Sequence, residues 1–181
     1  MPSNFLSLDL AGLVLIEPKV FKDSRGFFLE SYRYSEFKNN GIPETFVQIN
    51  RSTSTAGVIR GLHYQLPPFG QGKLVSCIKG EIFDVAVDIR KHSPTFSKWH
   101  GVILSDQNKK MLFIPEGFAH GFYTLQEADV MYQTTNEYAP QSERGIIWND
   151  PELNIDWPDG LKMTSEKDKE YPLLKNAEVF E

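Results

Sequence analysis

Apolar and polar residues alternate in short runs along most of the chain, and clusters of Gly, Pro, Asn and Asp separate the runs. A period of two is that of an extended strand, whose successive side chains point to opposite faces. The runs at 12–20, 26–32, 45–52, 58–65, 73–79, 81–89, 99–104, 110–114, 121–125 and 128–135 are therefore predicted strands. In 81–89, Phe83, Val85, Val87 and Ile89 fall on one face and Asp84, Ala86 and Asp88 on the other, the pattern of a strand with one buried face. The segment 35–40, closed by Gly41, reads as a short helix. So many strands with almost no helix between them favour an all-β jelly roll or sandwich over any βαβ arrangement.

The final stretch differs. The turns Asp150-Pro151 and Trp157-Pro158-Asp159-Gly160 precede a charged segment at 165–170. This predicts a partly helical C-terminal arm over about 151–181, lying on one domain that spans 1–181. No repeat or linker divides the chain.

Charge and composition narrow the partners. A formal net charge of −5 argues against DNA or RNA, while a few local arginines could still hold a small phosphate ligand. The single cysteine, Cys77, excludes an intramolecular disulfide, and its apolar neighbours predict a buried thiol. The start lacks a basic and then apolar leader, and no apolar run approaches the ~18 residues of a membrane span. The expected compartment is the cytoplasm. Gly70-Gln-Gly-Lys73 runs into Leu74, so it is neither a P-loop nor a dinucleotide turn.

Residues 57–80 carry the chemistry. Gly57, five residues, His63-x-Gln65, then Lys73, six residues and Gly80 resemble the first motif of the cupin superfamily; Pro115, Gly117 and His120 resemble the second, with Thr124 where Asn is usual. The resemblance implies a jelly-roll barrel. Metal-binding cupins draw ligands from four positions held here by His63, Gln65, Lys73 and His120. A charged ammonium cannot ligate and an amide is a poor replacement for imidazole, so no metal and no cofactor is expected. His63, Lys73 and His120 are left for proton chemistry on a carbonyl compound.

Further segments extend the match. They are Asp23-Ser-Arg-Gly-Phe-Phe-Leu-Glu30, Phe46-Val-Gln-Ile-Asn50, Arg60-Gly-Leu-His-Tyr-Gln65 and Gln71-Gly-Lys-Leu-Val75. After them come Ile114-Pro-Glu-Gly-Phe-Ala-His-Gly-Phe122, Tyr132-Gln-Thr-Thr-Asn-Glu-Tyr138, Ile147-Trp-Asn-Asp-Pro151 and Ser165-Glu-Lys-Asp168. Together, in order, they resemble the dTDP-4-dehydrorhamnose 3,5-epimerase family. One departure is Ile49, where that family often has Asp.

The resemblance implies a homodimeric, cofactor-independent enzyme inverting C3 and C5 of a dTDP-bound 4-keto sugar in dTDP-L-rhamnose synthesis. It also implies roles: His63 as base, Tyr132 as acid, Lys73 as the cation at the C4 oxygen, and Asp168 as the group orienting His63. Arg25, Glu30, Gln48, Asn50, Arg60, Lys73, His120, Glu143 and Lys167 would contact the nucleotide sugar, and Tyr138 would stack on thymine.

Without the resemblance these residues read more plainly. Tyr132 and Tyr138 would be strand aromatics, Asp168 a solvated acid, and Arg25 with Glu30 a surface pair at a turn. His92 and His100 match no motif and are expected at the surface. A single-site epimerase, a non-catalytic nucleotide-sugar binder and a metal-dependent cupin remain the alternatives.

Overall fold

The computed structural model describes residues 3–43 and 45–181. Met1, Pro2 and Glu44, inside the expected 1–181 domain, lie outside the described residues. In chain order the strands are β1 (Asn4–Ser7), β2 (Val14–Glu17), β3 (Phe21–Asp23), β4 (Gly26–Phe28), β5 (Gln48–Ser54), β6 (Ile59–Gln65) and β7 (Lys73–Lys79). They continue as β8 (Glu81–Asp88), β9 (Trp99–Ser105), β10 (Met111–Ile114), β11 (Phe118–Thr124), β12 (Ala128–Thr134) and β13 (Glu143–Gly145). Among the described residues, two short helices, α1 (Tyr34–Asn39) and α2 (Glu166–Lys169), complete the regular structure together with 3₁₀ turns at Pro140–Ser142 and Leu174–Asn176.

Two antiparallel sheets form the jelly roll. A six-stranded sheet runs β1-β2-β10-β7-β12-β5, and a five-stranded sheet runs β13-β6-β11-β8-β9. The hairpin β3-β4 stands apart as its own two-stranded sheet. No helix among the described residues is long and apolar enough to cross a membrane.

Several predicted strands shift. The run at 26–32 yields only the three residues of β4, because Tyr32 turns inward to meet Phe37 and Phe46 edge-on. The run at 45–52 becomes Gln48–Ser54, where pairing with β12 sets the limits. β1, β3 and β13, of three or four residues each, are too short to show a period.

Three apolar layers hold the sheets. Val75, Leu112 and Ile114 of one sheet meet Ile82, Ala86, Phe118 and Phe122 of the other. α1 covers the outside of the six-stranded sheet through Phe37, packed with Ile16, Leu74 and Phe113. The arm covers the outside of the five-stranded sheet, where Leu153, Trp157 and Leu174 lie on Ile59, Leu62, Val85 and Val87. Each such side chain contributes about 1.5–3 kcal/mol by leaving water. Buried Asp150 pins the arm, with one carboxylate oxygen accepting from Leu153 N–H at 2.9 Å and the other from Leu174 N–H at 2.7 Å.

β8 corrects the expectation of one buried face. Its alternation is real, but both faces are buried. The apolar face packs under the arm, and the face bearing Asp84 and Ala86 looks between the sheets. A carboxylate thus sits inside the barrel.

Candidate active site

A β-bulge in β6 assembles the site. Between the pairs Arg60↔Phe122 and His63↔His120, β6 spends one residue more than β11. Strict period two would place Arg60 and His63 on opposite faces. The extra residue lets both point away from Ile59, Leu62 and Tyr64, which pack under the arm: His63 lines the cavity, and Arg60, exposed, reaches Ser54 of the facing sheet. Gly61 makes the bulge sterically possible. Its φ is +130°, and a Cβ there would lie 2.5 Å from Gly121 Cα.

The interior opens in a cavity of about 240 Å³ lined by Gln48, Asn50, His63, Gln65, Gln71, Lys73, Tyr132, Tyr138 and Glu143, with Tyr64 at its edge. His63 comes from the five-stranded sheet and Tyr132 from the six-stranded one, so they approach from opposing walls. Lys73, on β7 of Tyr132's sheet, reaches across to donate to the His63 carbonyl at 3.2 Å. A second opening of about 410 Å³ adjoins the first, shares His63 and Glu143, and adds Arg60, Ser165, Lys167 and Asp168.

The arm delivers Asp168. Ser165 caps α2 by accepting from Asp168 N–H at 3.1 Å, which sets where the helix begins. Asp168 Oδ1 then lies 2.8 Å from His63 Nε2, and Oδ2 accepts from Gly61 N–H at 3.3 Å. Burial alone would raise this carboxyl, but the His63 contact and the Gly61 and Ser165 hydrogen bonds hold it below the usual range. An ionised carboxylate only accepts, so Nε2 carries the His63 proton and Nδ1 keeps a lone pair.

The other charges respond to burial. Lys73 is pulled down to about 8 by desolvation, against the Asp84 and Glu143 carboxylates, which raise it. Tyr132 is pushed up by burial. His120 is lowered by burial and then by Lys73 and His63, with Asp84 opposing. Its Nε2 lies 2.9 Å from Asp84 Oδ2. His120 is buried and does not line the cavity. Asp84, fully buried and with Oδ1 unpartnered among the described residues, lies behind the site against His120 and near Lys73, and the sequence left it unassigned. Its visible signal is a carboxylate on the inward positions of an apolar strand.

Around the rim, Glu143 Oε2 accepts from Tyr138 Oη at 2.8 Å and from Lys167 Nζ at 2.6 Å. Gln48 holds Asn50 Oδ1 and Tyr138 N–H, both at 2.9 Å. Arg60 donates to Ser54 Oγ at 2.9 Å.

Three sequence-predicted contacts line neither opening: His120, buried against Asp84, and two residues near the β3-β4 hairpin. Arg25 sits on the β3-β4 hairpin with its side chain 88% exposed and paired to Asp23. Glu30 pairs with Arg33 at 3.0 Å. Neither lines the cavity or its neighbour.

The positions of a cupin metal centre do not fit a cation. Lys73 presents an ammonium where a ligand would stand, and the Gln65 amide is committed to backbone at both ends. The arrangement offers instead an oriented imidazole, a buried ammonium and a facing phenol.

Comparison with known proteins points the same way. The family model described as dTDP-4-dehydrorhamnose 3,5-epimerase matches residues 7–176. The dTDP-4-dehydrorhamnose 3,5-epimerase of Shigella flexneri is 52% identical over 179 residues, covering 98% of this chain and 99% of its own. A dTDP-6-deoxy-D-glucose-3,5-epimerase from Legionella pneumophila, solved in complex with dTDP-4-keto-L-rhamnose, superposes with a TM-score of 0.94 at 50% identity, covering 97% of this chain and 94% of that one. The dTDP-4-dehydrorhamnose 3,5-epimerase of Sulfolobus tokodaii does so with a TM-score of 0.94 at 48% identity, covering 100% of both.

Proposed function

This chain belongs to the dTDP-4-dehydrorhamnose 3,5-epimerase family, and from that premise we propose that His63 and Tyr132 exchange protons on opposite faces of a keto sugar held between the sheets. The chain is an isomerase, converting dTDP-4-dehydro-6-deoxy-D-glucose to dTDP-4-dehydro-L-rhamnose in dTDP-L-rhamnose synthesis. The observation that carries the division of roles is the placement of His63 and Tyr132 on facing sheets around one cavity.

C3 and C5 both flank the C4 ketone, so loss of either proton leaves an enolate. His63 Nδ1 takes the proton while the bonding pair moves toward the C4 oxygen. Lys73, protonated below its pKa of about 8, stabilises that oxygen as its charge grows. Tyr132 returns a proton to the opposite face, which inverts the carbon, and solvent restores phenol and imidazole. Asp168 fixes the His63 tautomer and stabilises the imidazolium formed.

In this reading Arg60 and Lys167, which line the second opening, hold the diphosphate by charge-assisted hydrogen bonds, and Tyr138, which lines the first, lies against thymine. Gln48, Asn50 and Glu143 complete the rim, and His120 supports the wall behind Lys73. Residues 1–181 act as one unit, with the arm from about 151 supplying Lys167 and Asp168. Arg25 and Glu30 reach a cavity only in a homodimer, in which the hairpin of one subunit closes the other's site. Supporting this is the exposure of Phe27 and Phe28 on that hairpin, at 55% and 58%. The proposed compartment is the cytoplasm, in keeping with one free, buried cysteine.

Proton NMR of the wild-type reaction in D₂O tests the function. Deuterium at both C3 and C5 of the product is expected. Label at one carbon alone would identify a single-site epimerase, and none would leave only a binding module.

A further inference from the structure

We infer that Gln65, standing where a metal-binding cupin has a ligand, is a positioning residue for the Tyr138 platform. The inference rests on the reading of Tyr138 as the surface that receives thymine.

Gln65 is 3% exposed and uses its whole amide on backbone. Its Nε2 donates to Phe69 O at 2.7 Å and to Glu137 O at 3.2 Å. Its Oε1 accepts from Ala139 N–H at 2.8 Å. Two carbonyls on one side and an N–H on the other fix which end of the amide is which. Glu137 and Ala139 are the neighbours of Tyr138 on either side. One buried side chain therefore grips the chain immediately before and after the ring.

Tyr138 needs such a grip. It is 54% exposed and follows the end of β12, with no sheet partner of its own. Its backbone N–H is held by Gln48 and its hydroxyl by Glu143, which are themselves cavity residues. Gln65 ties the segment to β6, the strand that also carries His63. A ring fixed before the nucleotide arrives binds without the entropy cost of ordering the segment. Gln65 thus acts on nucleotide affinity through Tyr138 and does not touch the reacting carbons.

The test measures dTDP affinity by calorimetry and steady-state kinetics for Gln65→Glu, Tyr138→Ala and the double variant. Gln65→Glu keeps the shape and the acceptor for Ala139 but turns an oxygen toward two carbonyls. We expect dTDP binding weaker by about 10-fold, with kcat changed by less than about 3-fold. In the Tyr138→Ala background the same substitution should change affinity by less than about 2-fold, because the platform it serves is gone. If Gln65→Glu does not fold, Gln65→Met is measured in its place, with the same expectations. Unchanged dTDP affinity in the Gln65 variant, with Tyr138→Ala weakened, overturns the inference and leaves the platform reading standing. Unchanged affinity in Tyr138→Ala itself overturns that reading and the inference with it. Loss of kcat and affinity together, equally in both backgrounds, shows a general packing role and also overturns it.

Discussion

Asp168 Oδ1 lies 2.8 Å from His63 Nε2, although the two residues are 105 positions apart in the chain. One belongs to a barrel strand and the other to the arm that folds back over the opposite face of the same sheet. The contact orients the imidazole, and in the proposed mechanism it makes the arm part of the catalytic apparatus.

Replacing Asp168 by Asn should leave the fold intact and free the wrong tautomer of His63. Turnover should fall by about 100- to 10,000-fold, with little change in the Michaelis constant. Steady-state kinetics checks this, and near-normal turnover would reduce Asp168 to a structural tie between the arm and β6.

Lys73 supplies the pH dependence. Its ammonium is present below a pKa of about 8 and is lost as pH rises through that value, so kcat/KM should decline above about pH 8. Tyr132, raised by burial, stays protonated across that range. Lys73→Met should lower kcat by about 100- to 1000-fold with a modest change in Michaelis constant, and the residual activity should lose its basic limb. An effect confined to the Michaelis constant would contradict the electrophile role.

Much of this was legible in the chain, and the rest was hidden for physical reasons. Period-two runs located most strands, and the motif around His63 located the cavity. The bulge at Gly61 was not visible, because a period broken by one residue looks the same as an ordinary glycine in a strand. Asp84 and Gln65 escaped assignment because their work is done against His120 and against backbone, and neither partnership is written in local sequence. The direction of β8 was also hidden: its apolar face needed the arm as cover, and only the packing of Leu153 and Trp157 reveals that. Arg25 and Glu30 were expected to contact the substrate, and within this chain they lie away from the cavity.

Tyr132→Phe separates the two halves of the reaction. Without the phenol proton, abstraction by His63 can continue while delivery to the other face fails. Solvent deuterium should therefore enter at one carbon or both with retention of configuration. Equal loss of exchange and inversion would mean that Tyr132 only shapes the cavity.

The Asp88 carboxylate bears on stability. Burial alone would raise its pKa, but hydrogen bonds from Arg90, Ser93 and Thr95 bring it down to about 2, against 3.8 for a free carboxyl. The ionised form is favoured in the folded state, so its contribution is complete above about pH 4 and is lost as pH falls toward 2. Asp88→Asn should cost about 2 kcal/mol at neutral pH, read from urea unfolding, and should flatten the acid limb of stability.

The central claim is that His63 removes the proton at both carbons. Its most direct test is proton NMR of the His63→Ala variant with substrate in D₂O, alongside dTDP binding by calorimetry. The account predicts no deuterium at C3 or C5 with dTDP affinity within about 3-fold of the parent enzyme, because His63 meets the sugar and not the nucleotide. Exchange persisting at either carbon would assign the base to another residue.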